Sequence, residues 1–287
     1  MAISFEKVSH YYEKAKKNQI VPAAIKDISL TISNSDEFVM IVGKTGSGKS
    51  TLMQHVNGLI LPTEGNVIID DFKLTSKPRK NPKLKPIRKK IGFVFQFPEY
   101  QLFEETVYKD IIYGPINFGF SEEEAKKNVL DISKRLNITD ILKKSPFELS
   151  GGQMRKVAIA GILACDPDIL LLDEPTRGLD PLGAKEIMKF FKELNQKYHK
   201  TIIMITHDMD LVYEYATRVV VLQNGMLKFD GKKEELFKEK YLDFALDKPK
   251  ILKTVDYIND TTKYNLSYNN YSLDDLLLSL KGGDTNE

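Results

Sequence analysis

Residues 43–51 read "GKTGSGKST" and decide the fold. Glycine adopts positive φ angles that other residues avoid, so such a loop can turn its N–H groups inward around an anion. The spacing from Gly43 to Gly48, followed by Lys49 and Ser50, is that of the phosphate-binding P-loop. In that motif the loop amides and the lysine contact phosphates, and the hydroxyl binds Mg²⁺. The loop therefore predicts a nucleotide site.

The sequence on both sides of this loop predicts the strand and the helix that a P-loop joins. The apolar, β-branched "FVMIV" before it reads as a buried strand, and the stretch after it reads as a helix that ends near Gly58. Strands then alternate with helices as far as "RVVVLQNGMLKFDG" (218–231), which predicts an α/β fold with a parallel sheet covered on both faces. Residues 3–32 alternate as antiparallel strands around a polar loop at 13–22.

Length and composition restrict the class of protein. The 287 residues, 42% of them hydrophobic, suffice for one large domain with an appendage. A net charge of +2 gives no general attraction to nucleic acid, and we expect no nucleic-acid partner. The single cysteine, Cys165, excludes an internal disulfide framework. No apolar stretch reaches the roughly 18 residues of a membrane span.

Two further segments invite more than one interpretation. Residues 76–90, "SKPRKNPKLKPIRKK", carry eight basic residues and no acid. Such a run can bind phosphates of lipid or RNA, but a solvated loop broken by prolines is favoured. Residues 106–142 predict helices, one of which begins with a capping box of Ser121 and Glu124.

The stretch "ILLLDEP" (169–175) supplies the acids that a phosphate site needs. Four apolar residues bury the strand. Asp173 at its end can hold the shell of a Mg²⁺ ion, and Glu174 beside it can accept a proton from attacking water. Alone, the stretch also fits a buried strand with a salt-bridged turn; next to a P-loop, the catalytic interpretation is favoured.

The stretch "LSGGQ" (149–153) opens a helix, so its amides lie where the helix dipole favours an anion. Together with the P-loop and "LLLDEP", it resembles the signature motif of ATP-binding-cassette (ABC) ATPases. The resemblance implies a cassette fold: a RecA-like parallel-sheet core, an antiparallel β subdomain, a helical subdomain at about 97–165 and a small C-terminal helical extension. We expect the nucleotide-binding domain at 1–238 and the extension, a dimerisation segment, at 239–287.

Other positions match the cassette residue by residue. Gln96 resembles the Q-loop glutamine, His207 the switch histidine that bonds the γ-phosphate, and Asp180 the D-loop aspartate that contacts the opposite subunit. Tyr12 aligns with the aromatic residue that stacks on adenine, with Tyr11 as a rival. The family implies ATP and Mg²⁺ as ligands. The expected catalytic residues are Lys49, Gln96, Glu174 and His207, and the expected metal ligands are Ser50, Gln96 and Asp173. The expected nucleotide-binding residues are Tyr12, Gly43, Lys44, Thr45, Gly46, Ser47, Gly48, Lys49, Ser50, Thr51, Ser150, Gly151, Gly152, Gln153 and Asp180.

The stretch "GFVFQFPEYQLFEETVYKDIIYGPINFG" (92–119) resembles the ATPases of energy-coupling factor (ECF) transporters, which import vitamins and metal ions. Thr45 and the extended loop before "AAIKDISL" resemble the second of that family's two ATPase paralogues. Two positions depart from the pattern: Arg177 replaces a small residue, and Asp36 replaces a common glycine.

The resemblance also implies partners. In the cassette family the signature of one subunit completes the P-loop site of another, so we expect a head-to-tail dimer with a second ABC ATPase, a paralogue rather than an identical copy. A transmembrane scaffold and substrate-binding membrane subunits would complete a complex on the cytoplasmic side of the cell membrane. The segment "PEYQLFEE" (98–105) is the candidate docking surface, unless it only packs within its subdomain.

Other cassette proteins are the alternatives. A binding-protein-dependent importer would use a similar cassette. An ATPase of DNA repair would carry a long heptad insertion between P-loop and signature, which this sequence lacks. A ribosome-associated protein would carry two cassettes, and this chain has one P-loop and one signature.

Overall fold

The computed structural model describes residues 2–13, 21–33, 36–77, 79, 81–266 and 273–282. Most of the polar loop predicted at 13–22 and the end of the chain, 283–287, lie outside the described residues. The strands are β1 (Ile3–His10), β2 (Ile25–Ile32), β3 (Phe38–Val42), β4 (Glu64–Ile69), β5 (Phe72–Thr75), β6 (Ile91–Val94), β7 (Ile169–Asp173), β8 (Thr201–Ile205), β9 (Arg218–Gln223) and β10 (Met226–Gly231). The helices are α1 (Lys49–Val56), α2 (Leu84–Lys90), α3 (Val107–Asn117), α4 (Glu122–Arg135), α5 (Gly151–Leu163), α6 (Pro181–Tyr198), α7 (Met209–Tyr215), α8 (Lys233–Glu235), α9 (Lys250–Thr261) and α10 (Leu273–Gly282).

A six-stranded sheet in the order β10-β9-β3-β8-β7-β6 forms the centre of the molecule. All its strands are parallel except β10, which pairs antiparallel with β9 at one edge. Strands β3 and β8 are buried along their whole length, as their continuous apolar sequences predict. Because parallel strands end at one edge of the sheet, the loops that follow β3, β6, β7 and β8 meet there.

A second sheet is antiparallel, in the order β2-β1-β4-β5. Its apolar face packs on the central sheet and on α1: Ile3, Phe5 and Val67 share one buried cluster with Ile41 and Leu52. This is the antiparallel β subdomain that the sequence predicted, and it covers one face of the parallel core.

The other face of the central sheet is covered by helices. Val107 of α3, Val129 of α4 and Val157 of α5 lie in one buried cluster with Met40 of β3. Leu252 of α9 belongs to the same cluster, so the C-terminal segment packs on the cassette core. The boundary near 238 and the dimerisation role of the extension stay predictions.

The structure differs from the sequence interpretation within the basic run at 76–90. A solvated loop was expected there, but its second half forms α2. Pro86 is the third residue of this helix, where a missing N–H costs no hydrogen bond, so it does not break the helix. Ile87 anchors the helix because its side chain is fully buried. Pro78 and Lys80 lie outside the described residues.

Asp36, where the resemblance led us to expect a glycine, adopts a left-handed backbone with φ of 56°. Glycine reaches that region without strain, whereas aspartate is among the few other residues that do so readily. Its carboxylate accepts a hydrogen bond from His199 Nδ1 at 2.7 Å, and its carbonyl oxygen accepts one from Asn195 Nδ2 at 2.7 Å. These contacts hold Asp36 in the conformation that the turn requires.

Within the described part of the chain, no helix combines the length and the apolar character that crossing a bilayer would need.

Candidate nucleotide site

The loop after β3 has the backbone that the glycine spacing predicted. Gly43, Gly46 and Gly48 have φ angles of 142°, 78° and 100°. A Cβ on Gly43 would lie 2.1 Å from the carbonyl oxygen of Leu222, and one on Gly48 would lie 2.5 Å from that of Ala24. Both glycines are required by close backbone approach as well as by conformation.

Lys49 begins α1 and turns its side chain back over the loop. Its Nζ donates to the carbonyl oxygens of Gly43 at 2.8 Å and Lys44 at 3.0 Å. Burial lowers the pKa of Lys49, while the nearby carboxylates of Glu174 and Asp173 act in the opposite direction. A partly desolvated ammonium held above a ring of backbone amides is arranged to receive a phosphate.

Asp173 ends β7 beside Ser50. Burial raises the pKa of Asp173, and a hydrogen bond with the Ser50 side chain opposes that shift. A carboxylate and a hydroxyl in contact at the edge of a cleft are hard oxygen donors of the kind that Mg²⁺ prefers, and Mg²⁺ typically takes one or two protein ligands together with substrate phosphates. The residues present therefore fit this ion.

The carboxylate of Glu174 is surrounded by donors. Its backbone has φ of 47°, and its N–H bonds the carbonyl of Ile205 at 3.1 Å. Oε2 accepts from Gln96 Nε2 at 2.7 Å and from Arg177 Nη1 at 2.9 Å. His207 Nε2 lies 3.1 Å from Oε1. The structure thus brings Gln96, Glu174 and His207 together from three separate loops.

The electrostatics of His207 favour its neutral form. Burial lowers the pKa of His207 first, and the Lys49 charge lowers it further, against a smaller opposing effect of Glu174. A neutral imidazole with its proton on Nε2 can donate to Glu174 Oε1. The same ring can donate to a phosphate oxygen once a nucleotide is bound.

These groups line one cleft of about 730 Å³. Of the predicted site residues, it contains Tyr12, Thr45, Gly46, Gly48, Lys49, Ser50, Thr51, Gln96, Asp173, Glu174 and His207. The cleft is also lined by Ala24, Arg177 and Ile205, which were not predicted as site residues from the sequence. The volume lies within the range of cofactor and ligand sites.

Tyr12, rather than its rival Tyr11, faces this cleft. The Tyr12 hydroxyl lies 3.0 Å from Thr51 Oγ1, and its ring makes an edge contact with His10 at a centroid distance of 4.7 Å. The side chain is 64% exposed, which leaves a ring face for a base to stack on. Tyr11 bonds Thr63 Oγ1 through its backbone N–H.

The signature residues lie in a second cleft of about 250 Å³. Ser150 caps α5 in a capping box with Gln153, and Asp180 caps α6 by accepting from the backbone N–H groups of Leu182 and Gly183. Ser150, Gly152, Gln153 and Asp180 line this cleft, and none of the described residues lines both clefts. Of the predicted nucleotide-binding residues, Gly43, Lys44, Ser47 and Gly151 line neither cleft, and the others are divided between the two.

Arg155 is a contributor that sequence reasoning missed. Its side chain is only 4% exposed and forms a two-pronged ion pair with Glu99, at 2.9 and 3.2 Å. Nη1 also donates to the carbonyl oxygens of Pro175 and Arg177. One sequence signal was available, because Arg155 precedes Ala158 and Ile159 at helical spacing and so shares a face with apolar residues of α5.

Comparison with known proteins bears on this site. The ABC transporter family matches residues 25–177. The energy-coupling factor transporter ATP-binding protein EcfA2 of Geobacillus kaustophilus is 50% identical over 241 residues, which cover 83% of this chain and 81% of that protein. EcfA2 of Ligilactobacillus salivarius is 44% identical over the full length of both chains.

Solved structures agree with the sequence relatives. The structure of cbiO1 from Clostridium perfringens, part of the ABC transporter complex cbiONQ, has a TM-score of 0.73 at 34% identity and covers 90% of this chain and 94% of that one. A dimeric post-hydrolysis structure of the ATP-binding cassette MJ0796 with ADP and Pi has a TM-score of 0.69 at 33% identity, over 80% of this chain and 98% of that one.

Proposed function

The chain belongs to the ABC transporter family, among the ATP-binding subunits of energy-coupling factor transporters, and we propose that it hydrolyses ATP to drive uptake of a vitamin or metal-ion micronutrient. The observation that carries the proposal is the division of the site between two clefts of one chain. Each cleft holds half of the groups that a nucleotide needs, so two cassettes must meet to complete a site. The cassette MJ0796, to which this chain is similar, forms such a dimer.

In the P-loop cleft, the chain's own groups bind the nucleotide. The loop amides and Lys49 hold the phosphates, and Tyr12 stacks on adenine. Ser50, Gln96 and Asp173 would hold a Mg²⁺ ion, which neutralises charge on the phosphate oxygens when bound. These groups orient the terminal phosphate toward Glu174.

Glu174 is the general base. As the oxygen of a water molecule bonds to the γ-phosphorus, the bond from phosphorus to the bridging oxygen of ADP breaks and one water proton passes to the Glu174 carboxylate. Gln96 and His207, both in contact with that carboxylate, orient the water and bond the γ-phosphate. Lys49 stabilises the charge that develops on the phosphate oxygens.

The second cleft acts on the partner's nucleotide. Ser150 and Gly152 lie at the start of α5, where free N–H groups and the helix dipole attract an anion. Asp180, in the same cleft, contacts the opposite subunit. We propose a paralogous ATPase as that partner, as implied by the family's two ATPase subunits.

Docking on a membrane scaffold uses the segment 98–105 and its neighbours. Tyr100 is 85% exposed and Phe103 58% exposed, beside the acidic Glu104 and Glu105. Exposed aromatic side chains grouped in this way mark an interaction surface. The scaffold and the substrate-binding membrane subunits would place the chain on the cytoplasmic face, where closure of the cassettes tilts the membrane partner.

Co-purification tests the assignment. We would capture the tagged full-length chain from detergent-solubilised membranes and identify its companions by mass spectrometry. A second ATPase and multi-span membrane proteins are expected. Recovery with an extracellular binding protein and two like membrane subunits would instead assign an ordinary importer.

The docking surface is tested in the same preparation. Replacing Glu104 and Glu105 with lysine should reduce recovery of the membrane proteins, because charge reversal next to the exposed aromatics weakens a complementary contact. The same change at Glu122 and Glu123, exposed acids of α4, is the matched control. Equal recovery from both variants would count against docking at 98–105.

A further inference from the structure

Arg177 lines the nucleotide cleft although neither the sequence patterns nor the proposed mechanism gives it a role. Its Nη1 donates to Glu174 Oε2 at 2.9 Å, and its guanidinium carbon lies 6.0 Å from the ring centroid of Phe97. The Arg177 side chain is 58% exposed, whereas that of Glu174 is 15% exposed. The partly exposed Arg177 guanidinium thus contacts the Glu174 carboxylate, which must receive a proton in the proposed mechanism.

The contacts of that carboxylate leave little room for water. Gln96 Nε2 and Arg177 Nη1 share Oε2, and His207 Nε2 faces Oε1. A carboxylate has about four lone-pair directions, so a water molecule that is to be deprotonated has to take a place near these donors. Of the three donors, Arg177 is the one that carries a permanent charge.

The backbone of Arg177 is hydrogen-bonded to α5, whereas the next residue, Gly178, has open space beside it. Arg155 Nη1 donates to the Arg177 carbonyl oxygen at 2.5 Å and so ties it to α5. Gly178 follows with φ of 75°, and no atom lies within 4 Å of a Cβ built on it. Two residues further on, Asp180 lines the second cleft. Arg177 thus belongs to the short segment of chain that joins Glu174 to the second cleft, which is the surface proposed to meet the partner cassette.

We propose that Arg177 restrains the general base in the unclosed chain by occupying the Glu174 carboxylate, and that closure of the partner cassette must displace it before water can be held there. The inference rests on the proposed role of Glu174 as base. An ion pair this exposed is weak, so the partner can displace it readily and its effect on rate is modest. Part of the free energy of cassette closure is therefore needed to break the ion pair between Arg177 and Glu174.

Steady-state hydrolysis of MgATP by the full-length chain, purified together with its partner ATPase, tests the restraint. Arg177→Ala should raise kcat about two- to fivefold and leave KM within about twofold, because the energy of an exposed ion pair corresponds to that factor. The matched control is Arg135→Ala. It removes another arginine paired with a nearby carboxylate, Asp131 of α4, that does not line the cleft. Its kcat should equal that of the wild type.

Two further variants separate the possible failures. In a Glu174→Gln background, Arg177→Ala should leave ATP affinity, measured with a fluorescent ATP analogue, within about twofold of the single variant. A larger loss would assign Arg177 to the phosphates and overturn the restraint. An unchanged or lowered kcat in Arg177→Ala, with Glu174→Gln inactive and equal melting temperatures, would overturn it too. If Glu174→Gln turned over ATP normally, the base assignment itself would fail, whatever Arg177 does.

Discussion

Asp173 and Glu174 are chain neighbours with different surroundings, and the difference supports the separate roles proposed for them. Asp173 is the last residue of β7, and burial raises its pKa while Ser50 bonds it. Glu174 follows the strand in a left-handed conformation, with its carboxylate in contact with Gln96 and His207. These surroundings fit the proposal that Asp173 holds the metal ion and that Glu174 accepts a proton from water.

Replacing Glu174 with glutamine should reduce kcat by about 10²- to 10⁴-fold, because an amide cannot accept the water proton. ATP binding should persist, since Lys49 and the loop amides are untouched. Phosphate release and ATP-analogue fluorescence measure the two properties. Glu193→Gln, which alters an exposed ion pair on α6, is the control and should be fully active. A Glu174→Gln rate within tenfold of the wild type would contradict the base assignment.

His55 lies on the buried face of the P-loop helix α1 and makes stability depend on pH. It is fully buried, its Nδ1 lies 2.7 Å from the Thr51 carbonyl oxygen, and burial lowers its pKa to about 4 from an ordinary 6.5. The folded pKa is the lower one, so the unfolded chain binds the proton first as pH falls. The stabilising effect is complete above about pH 6.5 and is lost as pH falls toward 4.

This linkage predicts that the wild type loses about 2 kcal/mol of unfolding free energy between pH 7 and pH 5 through His55. Urea unfolding at both pH values measures it. Between pH 7 and pH 5, the unfolding free energy of His55→Leu should fall by about 2 kcal/mol less than that of the wild type, whatever the absolute stability of the variant. Equal slopes for His55→Leu and the wild type would contradict the shift.

Arg155 connects three elements that are far apart in the sequence. It belongs to α5, its partner Glu99 lies 56 residues earlier in the turn after Gln96, and the carbonyls it bonds follow β7. The base-bearing loop, the Gln96 loop and the signature helix are thereby tied at one side chain. The Arg155 side chain thus joins these three segments by direct hydrogen bonds.

Glu99→Ala should lower the free energy of unfolding by about 3 kcal/mol, because it leaves the Arg155 charge buried without a partner. Urea denaturation measures the change. Glu186→Ala breaks the ion pair between Glu186 of α6 and Lys156 of α5, whose side chains are 53% and 27% exposed. This change should lower the free energy of unfolding by less than about 1 kcal/mol. Replacing Glu99 with leucine and Arg155 with methionine together should recover most of the loss. Equal costs for Glu99→Ala and Glu186→Ala would contradict the buried pair.

The sequence could predict those parts of the fold and site that are encoded locally. Three such features depend only on residues close in the chain, and the structure contains each of them: the glycine spacing of the P-loop, the acids at the end of β7 and the Ser121 capping box. The Arg155 clamp could not be predicted, because it depends on a packing arrangement between distant segments. The helix α2 was missed because Pro86 reads as a breaker unless its place in the first turn is known.

The arrangement of both clefts on one molecule predicts how it associates. Gly152 has open space around a built Cβ, and its φ lies outside the region reserved for glycine. Glutamate is therefore tolerated there by the fold, but it places a negative charge where the partner's phosphates should bind.

Gly152→Glu should abolish ATP-dependent association with the partner ATPase in the Glu174→Gln background and leave the melting temperature unchanged. Sedimentation velocity with and without MgATP measures the association. Gln196→Glu adds the same charge on the exposed surface of α6 and should associate normally. Undiminished association of Gly152→Glu would exclude the signature cleft as the contact with the nucleotide of the partner.

The turn between β9 and β10 reaches back to the P-loop, since the Gly225 N–H bonds the Ser47 carbonyl at 3.1 Å and its carbonyl accepts from the Lys26 N–H at 2.7 Å. The turn thus fastens the loop to the start of β2. A fragment trimmed to residues 25–177, which match the ABC transporter family, would lose these two hydrogen bonds and the strands β8 and β9 that pair with β3. The shortest self-sufficient nucleotide-binding piece of this chain must therefore extend past Gly225, which sets the limit for any truncation or split-protein design.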